Sequence, residues 1–162
     1  MNEIKVTQSA KKSGWGVIIV TALALLGASW LFFPQSTLAD NVVVYKSPSC
    51  GCCDGWVKHM ESNGFKVTIN NVDDVYPIKS QLGVPEEAAS CHTAKVGKYI
   101  VEGHVPVADI RRMLKEKPQI DGIAAPGMPM GSPGMTVPGQ PADHYDIITF
   151  KDGRMGGVFS KY

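Results

Sequence analysis

Three of the four cysteines in this 162-residue chain fall within four positions, Cys50-Gly51-Cys52-Cys53; the fourth, Cys91, stands in Ser90-Cys91-His92-Thr93. Thiolate is a soft ligand that suits Cu(I) and also Zn(II). Zinc motifs usually separate paired cysteines by two or more residues. A thiolate sulfur can bridge ions, so the bunching here fits a thiolate cluster holding more than one ion better than a zinc knuckle. The same residues admit other chemistry. Cys50 and Cys53 have the C-x-x-C spacing of thiol redox motifs, and an even cysteine count in an oxidising compartment usually means disulfides. Adjacent Cys52 and Cys53 cannot readily bridge each other, however, and a stapled scaffold spreads its cysteines. Metal ligation is therefore the first reading, thiol redox chemistry the second and an inert staple the third.

Other soft or basic side chains extend the candidate site. His104 lies in Glu102-Gly103-His104-Val105-Pro106, a loop before a helix start, and His92 adjoins Cys91. Either histidine can ligate or can orient a thiolate. His59 and His144 carry no such signal and read as solvated. Met128, Met130 and Met135 alternate with proline and glycine. A thioether is a soft ligand, but flexible packing is the simpler account on composition alone. The segment reads mainly as a lid over the thiols, with Met128 and Met130 the candidates for direct contact. Trp56 reads as core, and Lys46 and Lys58 as solvated charge.

These residues need elements to position them. Asn41 to Lys46 is β-branched and reads as a buried strand. Asp54 to Asn63 reads as a helix with apolar Trp56, Val57 and Met60, closed by Asn63-Gly64. Phe65 to Asn70 alternates as a strand, completing a β-α-β unit of the kind that builds parallel sheets. The cysteine motif then lies at a helix N-terminus, where backbone amides and the dipole favour a thiolate. A short helix is expected over Val75 to Leu82 and a further turn over Pro85 to Ala89. Strands follow at Ala94 to Val96 and Tyr99 to Glu102, joined at Gly97-Lys98. Pro106 opens a helix over Val107 to Glu116. Pro118 to Pro141 holds six prolines, five glycines and three methionines and excludes a long regular element. His144 to Phe150 and Met155 to Ser160 read as a hairpin. A cysteine motif ending the first strand, then β-α-β, then a hairpin and a helix, predicts an α/β, thioredoxin-like two-layer fold with an added Pro/Gly/Met loop and C-terminal β-hairpin.

The N-terminus reads as targeting. Lys5, Lys11 and Lys12 precede an uncharged run from Gly14 to Phe33, and Thr37 and Ala39 suit a secretory cleavage site. Residues 1–39 are expected to be a signal peptide cleaved after Ala39. An uncleaved membrane anchor is the alternative, because about 20 apolar residues can span a bilayer. Both versions export residues 40–162, the predicted metal-binding domain. Removing Lys5, Lys11, Lys12 and Glu3 takes 16 basic and 15 acidic residues to 13 and 14, leaving no basic excess that would suggest nucleic acid.

The blocks Cys50-Gly51-Cys52-Cys53, Ser90-Cys91-His92-Thr93, Glu102-Gly103-His104-Val105-Pro106 and Gly127 to Met135 resemble the CopG-type copper-resistance proteins, a thioredoxin-like group of bacterial periplasmic proteins. The resemblance spans roughly Val42 to Tyr162. It implies a periplasmic copper-handling protein whose bridging cysteines, Cys50, Cys52, Cys53 and Cys91, hold several Cu(I)/Cu(II) ions. Copper ions and periplasmic copper-transfer proteins are the implied partners, with membrane contact only through an uncleaved N-terminal segment. From the residues alone a thiol-disulfide oxidoreductase remains the competing function, with Cys50 as nucleophile and Cys53 as resolving thiol. A structural interaction module with a mobile Pro/Gly/Met loop ranks third.

Overall fold

The computed structural model describes residues 41–162. The targeting segment expected over residues 1–39 lies outside them. Among the described residues no helix is long and apolar enough to cross a membrane.

Strand β1 (Asn41–Lys46) buries Val42 and Val44 and is followed by helix α1 (Gly51–Ser62) and strand β2 (Lys66–Asn71). β1 pairs parallel with β2 and antiparallel with β3 (His92–Val96), so it is interior to the sheet. Between β2 and β3 lie helix α2 (Tyr76–Gln81) and a 3-10 turn, Glu86–Ala88. β3 turns antiparallel into β4 (Tyr99–Glu102), and α3 (Val107–Glu116) returns across the sheet. This arrangement is the expected thioredoxin-like α/β plan.

Three differences from the pattern-based expectation bear on the site and the sheet. Helix α1 begins at Gly51 rather than Asp54, with Cys50 as its N-cap. The Asp54 amide already donates to the Cys50 carbonyl, so the cysteines form the first turn instead of preceding it. The apolar alternation of β2 does not mark a buried face. Phe65 is buried, but Ile69 is 43% exposed, because β2 is an edge strand. The proline-rich segment hides a short strand, β5 (Gly122–Ala124), paired parallel with β4. It joins β6 (Asp146–Lys151) and β7 (Arg154–Lys161) to the sheet, giving one seven-stranded order β2-β1-β3-β4-β5-β6-β7. Three residues are too few to show a period. Gly122 is required there, since a Cβ would sit 2.1 Å from the Ile100 carbonyl oxygen and 2.4 Å from the Phe150 ring.

One face of the sheet carries the main core, in which Val42, Val44, Val96 and Val101 pack with Trp56 and Met60 of α1 and Ile110 and Met113 of α3. The opposite face carries a smaller cluster of Ile100, Ala124 and Phe150 beneath Val84 and Ala88. β4 is therefore covered on both sides, and all four of its residues are buried. The C-terminal strand is clasped to α3 by Asp109, which accepts hydrogen bonds from Arg112, Ser160 and Tyr162 at 2.7–2.9 Å.

Candidate metal centre

Four cysteine sulfurs meet where the C-terminal end of β1, the first turn of α1 and the N-terminal end of β3 come together. Cys50, Cys52, Cys53 and Cys91 offer sulfur atoms that all lie within 4.8 Å of one another. The Cys52 sulfur is 3.5 Å from that of Cys50 and 3.9 Å from that of Cys91, 39 residues away. Cys53 is buried and the other three cysteines are half-buried. Cys50 and Cys53, one helical turn apart, are joined as a disulfide with a Cα–Cα distance of 5.4 Å, while Cys52 and Cys91 are free thiols. The C-x-x-C pairing weighed from the spacing is thus present, and the two remaining thiols face each other beside it.

Two histidines also converge here, His104 from the loop before α3 and His92 as the first residue of β3, which begins two residues earlier than the Ala94 start expected from pattern. Cys91, His92 and His104 form a second group of donor atoms lying within 4.8 Å of one another. The His104 Nε2 is 2.9 Å from the Cys91 sulfur, and its Nδ1 is 2.8 Å from the Pro133 carbonyl oxygen. A carbonyl can only accept, so Nδ1 carries the proton and Nε2 turns a lone pair toward the thiols. His92 Nδ1 lies 3.5 Å from the same sulfur. Its Nε2 is a buried polar atom with no hydrogen-bond partner. The His92 ring is fully buried, 4.6 Å from Trp56 and edge-on to His104 at 5.0 Å.

Burial governs the protonation of this corner. It pushes the Cys91 thiol up to about 12, helped by the neighbouring Cys52 sulfur. It holds His92 well below its ordinary value, with His104, Lys79 and Lys46 adding in the same direction. His104 is lowered for the same first reason. Cys91 is therefore held as a neutral thiol beside neutral imidazoles, and a metal ion must displace its proton to bind there.

Cys91 is held from behind by a buried polar network of Glu102, Lys79, Ser90 and Thr93, to which no role is assigned in the sequence reading. Glu102 is fully buried, and its carboxylate accepts from the Lys79 ammonium, from the Ser90 amide at 2.7 Å and from the Thr93 hydroxyl at 2.7 Å. Lys79 is 3% exposed and also reaches Thr93. Ser90 in turn donates its hydroxyl to the Gly127 carbonyl. The backbone on the N-terminal side of Cys91 is thus tied both to β4 and to the Pro/Gly/Met loop. Glu102 ends the apolar strand β4 and opens the Glu102-to-Pro106 block, and these were its only marks in the sequence. Nothing marked Lys79.

The Pro/Gly/Met loop touches the site through its backbone. Pro133 binds His104, and Gly134 lies against α1, where a Cβ would meet the Cys52 carbonyl oxygen and the Trp56 nitrogen at 2.6 Å. A Cβ on Gly55 would meet the Gly134 Cα at 2.8 Å. The expectation of a lid corresponds to this contact. Met128 is 55% exposed, and the Met130 amide donates to Asp143. The loop's glycines allow the close approach, so the seat on the helix belongs to Gly134 and not to the side chains beside it.

Two residues read as solvated are engaged. Lys46 is 2% exposed and pairs with Asp54 at 3.0 Å. The His59 Nε2 accepts the Val107 amide at the N-terminus of α3, at 3.2 Å. Trp56 is core as expected, and its indole N–H also donates to the Val105 carbonyl at 2.9 Å, anchoring the loop that carries His104.

The chemistry of the donor set fits a soft ion: two thiols, a disulfide that yields two more on reduction, and an imidazole lone pair. Comparison with known proteins gives this geometry relatives. A family model described as a protein of unknown function, DUF411, matches residues 88–135, the stretch holding Cys91, His104 and the loop. No curated protein matches the chain. Two solved structures, named copper resistance protein CopG in forms 1 and 2, are each 44% identical to it with a TM-score of 0.69. Each covers 75% of this chain, which spans 96% and 97% of theirs. At that identity and coverage, with the thioredoxin-like sheet and the four convergent cysteines in place, the chain belongs to the CopG copper-resistance family.

Proposed function

We propose that this chain binds copper for copper resistance in an exported compartment, the periplasm, holding Cu(I) through the thiolates of Cys50, Cys52, Cys53 and Cys91. The observation that carries the proposal is the meeting of Cys91 with the Cys50–Cys53 helix turn, four sulfurs lying within 4.8 Å of one another. So many soft donors in one pocket favour Cu(I) over hard cations, and sulfurs this close can bridge several ions. Zinc suits the spacing less well. His104 presents its Nε2 lone pair as a further donor. His92 fits a role in orienting Cys91, because its ring is sealed in the core. Met128 and Met130 have the weaker case as ligands, in a segment read mainly as a lid over the thiols. Residues 1–39 would direct export, either as a cleaved leader or as an anchor, and copper-transfer proteins would be the partners.

The test is anaerobic reconstitution of the dithiol-reduced protein with Cu(I), followed by metal analysis and a thiol count. Several ions per chain with all four thiols shielded from a thiol reagent is the expected result, and Cys91→Ser should lower the capacity. No retained copper would overturn the proposal.

The Cys50–Cys53 disulfide favours a second reading, a thiol-disulfide oxidoreductase with Cys50 as nucleophile at the α1 N-terminus. Against it stands Cys52, 3.5 Å from the Cys50 sulfur, which would compete with any substrate thiol. Reductase activity that survives Cys91→Ser would favour this reading.

A further inference from the structure

The disulfide does not empty the pocket of donors. With Cys50 and Cys53 joined, the free thiols of Cys52 and Cys91 lie 3.9 Å apart, and the His104 Nε2 is 2.9 Å from the Cys91 sulfur. Two metal–thiolate bonds of about 2.3 Å meeting at a trigonal angle place their sulfurs about 4 Å apart. The observed separation of Cys52 and Cys91 already matches that span. The imidazole is preset as well, because Pro133 occupies Nδ1 and leaves Nε2 as the lone pair.

We infer that the disulfide form is itself a copper form, binding one Cu(I) between Cys52, Cys91 and His104, and that the Cys50–Cys53 bond sets how many ions the chain holds. This rests on the copper reading proposed above and adds regulation to it. Two groups of ligands are separable by their supports. Cys91 and His104 are held by Glu102, through the Ser90 amide, and by Pro133; the Cys53 sulfur meets Cys91 at its carbonyl oxygen, 3.9 Å away, and not at its sulfur. Opening the disulfide therefore adds two sulfurs without rebuilding the first site. The Cys52 sulfur, in contact distance of Cys50 and facing Cys91, belongs to both sets.

The chemistry balances in each state. In the disulfide form one Cu(I) displaces the two thiol protons of Cys52 and Cys91 to solvent, and no electron moves. Conversion to the larger site needs an external dithiol. It delivers two electrons and two protons, the Cys50–Cys53 bond breaks to give two thiols, and the reductant leaves as its own disulfide. Further Cu(I) then displaces those protons in turn. Capacity follows the thiol redox state of the compartment: a single tightly held ion when oxidised, several when a dithiol is supplied.

The experiment is an anaerobic titration of both forms with Cu(I) in competition with a chromophoric Cu(I) chelator, with thiols counted in denaturant before and after. The expected result is one Cu(I) per chain and two thiols for the disulfide form, and more than one Cu(I) and four thiols after dithiol treatment. The double variant Cys50→Ser/Cys53→Ser should take one Cu(I) whether or not dithiol is present. His104→Gln should weaken that single site at least tenfold while the circular dichroism spectrum is unchanged. Should His104→Gln not fold, the double serine variant and Cys52→Ser in the disulfide form decide the matter, the first keeping the ion and the second losing it. Equal capacity in the two forms, or a disulfide form that takes no copper while the reduced form does, overturns this inference and leaves the general copper reading standing. Failure of both forms to bind overturns the two together.

Discussion

Replacing Glu102 with Gln removes one negative charge at nearly constant shape, and the structure sets the cost. The wild-type carboxylate is fully buried and accepts from three donors, the Lys79 ammonium, the Ser90 amide and the Thr93 hydroxyl. Gln keeps one carbonyl acceptor and turns an amide donor toward groups that are themselves donors, so at least one of the three is left without a partner. Lys79, 3% exposed, then has the Thr93 hydroxyl and at most one neutral carbonyl in place of a carboxylate. Breaking a buried pair from one side costs about 3–5 kcal/mol, against a total stability of about 5–15 kcal/mol for a domain. Urea unfolding of the metal-free, dithiol-reduced protein should show a loss in that range with an unchanged m-value. The double change Lys79→Met/Glu102→Leu removes both charges and should recover much of the loss. What remains should be about 1–3 kcal/mol for the orphaned Ser90 amide. The same amide positions Cys91, so both variants should speed the reaction of Cys91 with a thiol reagent even where the fold survives. A loss below about 1 kcal/mol for Glu102→Gln would refute the buried-pair reasoning. Unchanged Cys91 reactivity would refute the claim that the network holds that thiol.

Gly134→Ala should lift the Pro/Gly/Met loop from α1, because its Cβ would meet the Cys52 carbonyl oxygen at 2.6 Å and the glycine φ is +85°. Faster alkylation of Cys52 and Cys91, with intact far-ultraviolet circular dichroism, is the measurement. Asp109→Ala strips the partners of Arg112, Ser160 and Tyr162 and should cost about 2–4 kcal/mol, seen as a lower midpoint in urea unfolding. His59 has its pKa lowered by burial and accepts the Val107 amide. A lowered folded-state pKa means the unfolded chain binds the extra proton first, so stability is lost as pH falls below about 6.5. The metal-free protein should lose stability from pH 7 to 5, and His59→Gln should show a shallower slope. Acid should also release Cu(I) from the loaded protein, since protons compete for the same thiolates; copper retention across a pH series reads this directly.

Local pattern was enough for most elements. The β-branched Val42-Val43-Val44 run, the apolar positions of α3 and the Pro106 start are short-range signals, and α3 runs over Val107–Glu116 as expected. Cys50, Cys52 and Cys53 were legible as a group because thiols so bunched have few other uses, and the resemblance added Cys91 to them. Tertiary structure decided the rest. A three-residue strand such as Gly122–Ala124 has no period of its own and exists because β4 and β6 flank it. The burial of Lys46, Lys79 and Glu102 depends on partners distant in the chain, so composition marks them as solvent-facing when they are not. The seating of Gly134 on α1 and the hydrogen bond from His104 to Pro133 likewise arise only when separate segments meet. The residue types and the C-x-x-C spacing were written in the chain; which imidazole nitrogen is free, what faces the Cys52 thiol and what holds Cys91 in place are properties of long-range packing, where a side chain's role is set by neighbours the local sequence does not contain.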